Sequence, residues 1–148
     1  MAVPILKQGH YLIASIQAAL SDSDVLQLQD DLVEQVGRFR SRGIIVDVTA
    51  LDVMDSFASR SLRGIAHMTR LRGAETVIVG IQPEVAFAMV QLGMSLEDVH
   101  TALDLEEGLT FLDTQRAPFL LLHATVDHGT DVSFDYAAPS PLVELGTP

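Results

Sequence analysis

The feature that most constrains this chain is a pair of short, unbroken β-branched runs, GIIVDV at 43–48 and TVIVG at 76–80, separated by a polar turn and an amphipathic segment. Strands that are continuously apolar, and not alternating, are buried on both faces, as in parallel sheets flanked by helices. Parallel neighbours need a long crossover, and the intervening segment supplies one. Its Ala58, Leu62, Ile65 and Ala66 fall on one side of a helix that Asp55-Ser56 can cap and Gly73 can close. Residues 43–80 therefore predict a βαβ unit with parallel strands and a right-handed crossover.

The other elements build outward from this unit. VPILK and YLIASI read as two short strands, at 3–8 and 11–18, joined by a turn at Gln8-Gly9-His10, with Pro4 suited to an edge. Ser21 or Ser23 can cap a helix whose stripe is Val25, Leu28, Leu32, Val36 and Phe39, ending near Gly43. Pro83 opens a third helix through Ala86, Met89 and Val90, and a short strand follows at 99–103. Asp104 caps a last helix marked by Leu105, Leu109 and Leu112. The expected fold is α/β: a mixed sheet of four to five strands covered by about four helices, in a domain spanning 1–115. Beyond Arg116 the period fades, and four of the six prolines lie at 118, 139, 141 and 148. Residues 116–148 are expected to be an extension without a fold of its own, in which Phe119–Leu122, or Phe134 with Tyr136, could dock.

Composition closes several routes. No cysteine is present, which removes disulfides, thiolate metal sites and cysteine nucleophiles. Twenty acidic against nine basic residues give a net charge of −11, which repels nucleic-acid backbones. No apolar run reaches the length of a membrane span, and the start of the chain lacks the pattern of a signal peptide, so a cytoplasmic protein is expected.

The chemistry-bearing stretch runs from Asp47 to Ser56, just beyond the carboxyl end of a parallel strand, where open α/β sheets collect their sites. Ser56 stands at the front of a helix. Its hydroxyl can cap free amides or, once phosphorylated, present a dianion to the positive end of the helix. On local spacing alone, Asp55-Ser56 only starts a helix. An enzyme would have to use Asp47, Asp52, Asp55 and Ser56 as an acidic cluster with a nucleophile, but the supporting residues are missing. The only lysine is Lys7, and neither a phosphate-cradling loop nor a nucleophile elbow is present. The histidines at 10, 67, 100, 123 and 128 are scattered, so no metal and no cofactor is expected. Arg60, Arg63, Arg70 and Arg72 could bind an acidic partner or simply be solvated.

Taken together, the VDVT strand end, the DS helix start, IQPEVAFAMVQLGM and ALDLEEGL resemble the STAS domain family over residues 3–115. Many anti-sigma-factor antagonists of that family continue from the aspartate-serine pair into Ser-Gly. This chain has Phe57-Ala58, and with the VPILK opening strand it resembles the RsbS type found in bacterial stressosomes. The extension has no counterpart in that resemblance. The resemblance implies a non-enzymatic scaffold whose Ser56 is phosphorylated by an RsbT-type serine kinase and restored by an RsbX-type phosphatase. It implies assembly with an RsbR-type STAS paralogue into a large homo- or hetero-oligomer. Asp47, Asp52, Asp55 and Phe57 are the expected partner-binding residues around Ser56. Two other roles stay open: an antagonist that binds an anti-sigma-factor kinase directly, and an assembly subunit in which Ser56 is only a cap.

Overall fold

The computed structural model describes residues 3–115. Strand β1 (Ile5–Gln8) turns at Gly9, whose φ of +60° suits a residue without a Cβ, and pairs antiparallel with β2 (Tyr11–Ser15). Helix α1 (Asp22–Phe39) begins with a reciprocal capping box. The Asp24 amide donates to Ser21 Oγ at 3.2 Å, and the Ser21 amide donates to Asp24 Oδ2 at 3.2 Å. Val25, Leu28, Leu32 and Val36 are buried as the spacing predicts, whereas Phe39 is half-exposed, with the cations of Lys7 and Arg38 5.8 Å and 5.3 Å from its ring centroid. The helix stops ahead of Gly43 because Arg40 turns left-handed, with φ of 52°, and its amide bonds to the Val36 carbonyl.

Gly43 instead opens β3 (Gly43–Asp47), where a Cβ would press on Leu112 and Tyr11. Helix α2 (Ser56–Leu71), β4 (Glu75–Val79), α3 (Pro83–Gln91) and β5 (His100–Ala102) follow. A fourth helix, α4, covers 105–115 and is capped by Asp104, whose Oδ1 accepts from the Glu107 amide at 2.9 Å. The sheet runs β1-β2-β3-β4-β5, parallel from β2 onward, with Ile45 opposite both Ile13 and Val77.

Alternation along the strands divides the apolar side chains between two cores. Leu12, Ala14, Ile44, Val46 and Ile78 face α1, α2 and α3. Tyr11, Ile13, Ile45, Val77 and Val79 face α4 through Leu109 and Leu112. Gly108 sets that helix close to the sheet, since a Cβ there would meet Val79 at 2.8 Å. One buried polar tie joins α2 to β4: the hydroxyls of Thr69 and Thr76 lie 3.0 Å apart, and Thr69 also donates to the Ile65 carbonyl at 2.8 Å. The third helix keeps its expected start at Pro83, but Val85 and Met89 are buried, while Ala86 and Val90 point outward. The expected extension, with Phe119–Leu122, Phe134 and Tyr136, lies outside the described residues.

Candidate functional site

The site is built where β3 ends. Asp47 Oδ1 accepts from the Thr49 amide at 2.9 Å and from the Thr49 hydroxyl at 2.6 Å, which turns the chain out of the sheet. Thr49 is then fixed from the next loop. Gln82 Nε2 donates to its carbonyl at 2.6 Å, and Gly80, with φ of +81°, lies so close that a Cβ would overlap the Thr49 side chain. Leu51 and Met54 are buried in the core and anchor the connection to α2, leaving Asp52 and Val53 exposed.

Asp55 is the N-cap of α2. Its Oδ1 accepts from the Ala58 amide at 2.8 Å, and its carbonyl accepts from the Ser59 amide at 3.0 Å. Ser56 is therefore the first residue inside the helix and not the cap. Its side chain is exposed and makes no hydrogen bond among the described residues, and the Ser56 and Phe57 amides at the same helix end also have no acceptor there. The first turn of α2 carries no acidic residue, unlike those of α1 and α3. Added negative charge at Ser56 would thus share the positive end of the helix dipole with the capping carboxylate of Asp55 alone. Neighbouring serines are placed differently: Ser59 is buried with Oγ 3.6 Å from Met94 Sδ, and Ser61 is half-buried. Of these three serines on α2, only Ser56 offers an exposed hydroxyl.

The loop brings Asp52, Asp55 and Ser56 to one end of the sheet, with Asp47 committed to its turn and Phe57 half-buried. The arginine concentration separates into two kinds. Arg63 donates to the Ser95 carbonyl at 3.2 Å, Arg70 to Asp98 at 2.9 Å and Arg72 to Val33 at 3.1 Å, so all three tie α2 to its neighbours. Arg60, exposed one turn beyond Ser56, makes no such tie among the described residues. His67 lies 3.7 Å from Asp98, and His100 stacks on Phe111 at 3.5 Å; among the described residues no group of potential ligands could hold a metal ion. No helix among them is long and apolar enough to cross a membrane.

A feature that spacing did not indicate is an apolar cleft beside the α2 cap, between the β2–α1 connection, α1, the β3–α2 loop and α2. Ile16, Leu20, Val25, Val53 and Ala58 line it, with Asp55 at its edge. Its signal in the sequence was the apolar run between YLIAS and Ser21, which looks like a continuation of the strand.

The STAS domain family profile matches residues 2–108. The chain belongs to the STAS domain family. This STAS domain is similar to a serine-to-glutamate variant of RsbS from Moorella thermoacetica, with 34% identity, a TM-score of 0.67, and coverage of 77% of this chain and 97% of that one. It is also similar to a chain in the solved architecture of the stressosome, described as a signal integration and transduction hub, with 31% identity, a TM-score of 0.64, and coverage of 77% and 99%. Among curated proteins, the RsbT co-antagonist protein RsbRA of Bacillus subtilis (strain 168) is 30% identical over 83 residues, which is 56% of this chain and 30% of that protein. The matched STAS region thus spans about a third of the RsbR-type relatives. These likenesses place the STAS domain among regulatory scaffolds of the stressosome type.

Proposed function

We propose that the chain is a non-enzymatic stressosome scaffold, acting in the cytoplasm, that holds an RsbT-type serine kinase and releases it when that kinase phosphorylates Ser56. The observation that carries this reading is the division of labour at the start of α2. Asp55 performs the capping, and the Ser56 hydroxyl is left exposed and, among the described residues, without a hydrogen bond. A subunit that used Ser56 only as a cap would need its oxygen on the helix amides, where Asp55 already sits. Support also comes from the similarity to a solved RsbS in which a serine has been replaced by glutamate, a common stand-in for phosphoserine.

Phosphorylation adds about −1.5 to −2 charge, and the helix end tolerates it because its amides and dipole favour an anion. The same charge lies on an acidic loop with Asp52 and Asp55, so a partner packed against this end must desolvate it or withdraw. Release thus follows from local electrostatics without refolding. An RsbX-type phosphatase restores the serine, and an RsbR-type paralogue supplies the co-assembling STAS surface.

Incubation with the cognate kinase and ATP, followed by phosphopeptide mapping of wild type and Ser56→Ala, tests the reading. Phosphate is expected on Ser56 and absent from the variant, and Ser56→Asp is expected to bind the kinase at least about tenfold more weakly than wild type. An active kinase that leaves Ser56 unmodified would sink the proposal and favour an assembly subunit without a switch.

A further inference from the structure

The cleft beside Asp55 is shaped for a particular contact. Its floor is formed by Leu28 and Leu62, both almost fully buried, and its walls by Ile16, Leu20, Val25 and Ala58. Val53, 70% exposed, stands at the rim. Among the described residues no cationic side chain lines it, so they offer nothing to a phosphate or carboxylate. The cavity volume is about 90 Å³. An engineered apolar cavity that accepts benzene measures about 150 Å³, and pockets for drug-sized ligands and cofactors about 300–1,000 Å³. This space suits one aliphatic side chain and excludes those larger ligands.

Position identifies the owner of that side chain. Asp55 and Ala58 both line the cleft and are three residues apart at the start of α2, with Ser56 and Phe57 between them in the chain. Ser56 itself does not line the cleft, but a protein that brings its active centre to the Ser56 hydroxyl docks on the same end of α2 as the mouth. We propose that the cleft receives one side chain of leucine, isoleucine or methionine size from the kinase that modifies Ser56. This proposal rests on the kinase-binding reading above and adds the apolar anchor of that contact. It also sharpens the release step. A closed apolar slot at the mouth requires the neighbouring Ser56 side chain to lose water, which a hydroxyl tolerates and a phosphate dianion resists.

The test uses the full chain and its cognate kinase, without ATP for affinity and with ATP for modification. Ala58→Leu fills the slot from within on a good helix former and is expected to weaken kinase binding at least about tenfold, the loss typical of removing a buried interface anchor. At saturating kinase Ser56 is still phosphorylated. Because Ala58→Leu could disturb packing, Val53→Ser supplies a second reading at an exposed rim position that the core does not need, with weakening of about threefold or more expected. Affinities within about twofold of wild type for both folded variants overturn the slot. So does a change confined to self-association of the chain alone, which would assign the cleft to a second copy. Wild type that neither binds the kinase nor accepts phosphate at Ser56 overturns the kinase reading itself, and the slot with it.

Discussion

Replacing Asp55 by alanine removes the oxygen that holds the Ala58 amide at 2.8 Å, and a lost N-cap costs about 1 kcal/mol. Urea denaturation should therefore show Asp55→Ala less stable by about that amount, whereas Ser56→Ala leaves stability within about 0.5 kcal/mol of wild type. Equal losses at both positions would mean that the two side chains share the cap. At this scale the sequence was legible as a pair and illegible as individuals. Aspartate and serine are both good caps, so composition cannot decide which one the backbone selects. The arginines show the same limit. Arg63, Arg70 and Arg72 reach carbonyls 28 to 39 residues away in the chain, which no local pattern reveals, while Arg60 on the same helix does not.

Among the elements, α3 was the hardest to orient and is the easiest to test. Its sequence, PEVAFAMVQ, is apolar on nearly every side, so helical spacing had no polar face against which to choose the buried one. The helix buries Val85 and Met89, with Phe87 and Val90 turned outward and Val90 80% exposed. Met89→Ala should cost about 2–5 kcal/mol by chemical denaturation, and Val90→Ser should stay within about 0.5 kcal/mol. Comparable losses at the two positions would contradict this orientation. By contrast the buried stripe of α1 was readable, because Val25, Leu28, Leu32 and Val36 recur at helical spacing, although the cap stayed open between Ser21 and Ser23 until the structure chose Ser21. Only Phe39 departed, at the last turn, where Lys7 and Arg38 approach its ring from outside the core.

For the whole molecule, the parallel core followed from two β-branched runs, since strands without alternation must be covered twice. The distribution of helices did not. Nothing in the spacing of Leu109 and Leu112 says that α4 covers the opposite face from α1, α2 and α3; that depends on which residues of Ile45, Val77 and Val79 the pleat turns toward it. The tie among Thr49, Gln82 and Gly80 was equally hidden, because it joins two loops through backbone proximity and not through any recognisable motif.

Strand order in space is the same as strand order along the chain. Every strand after the first therefore finds one partner already made, and none has to insert between two strands that are already paired. Only the β1–β2 hairpin closes a short loop; the parallel pairs, such as Tyr11 with Gly43 and Gly43 with Glu75, close over helical crossovers, which slows pairing but keeps its order running from the amino terminus. Pulse-labelled hydrogen exchange during refolding should find the β2 and β3 amides protected before those of β5, the three-residue strand that completes the sheet. Simultaneous protection of all five strands would indicate a single concerted step instead.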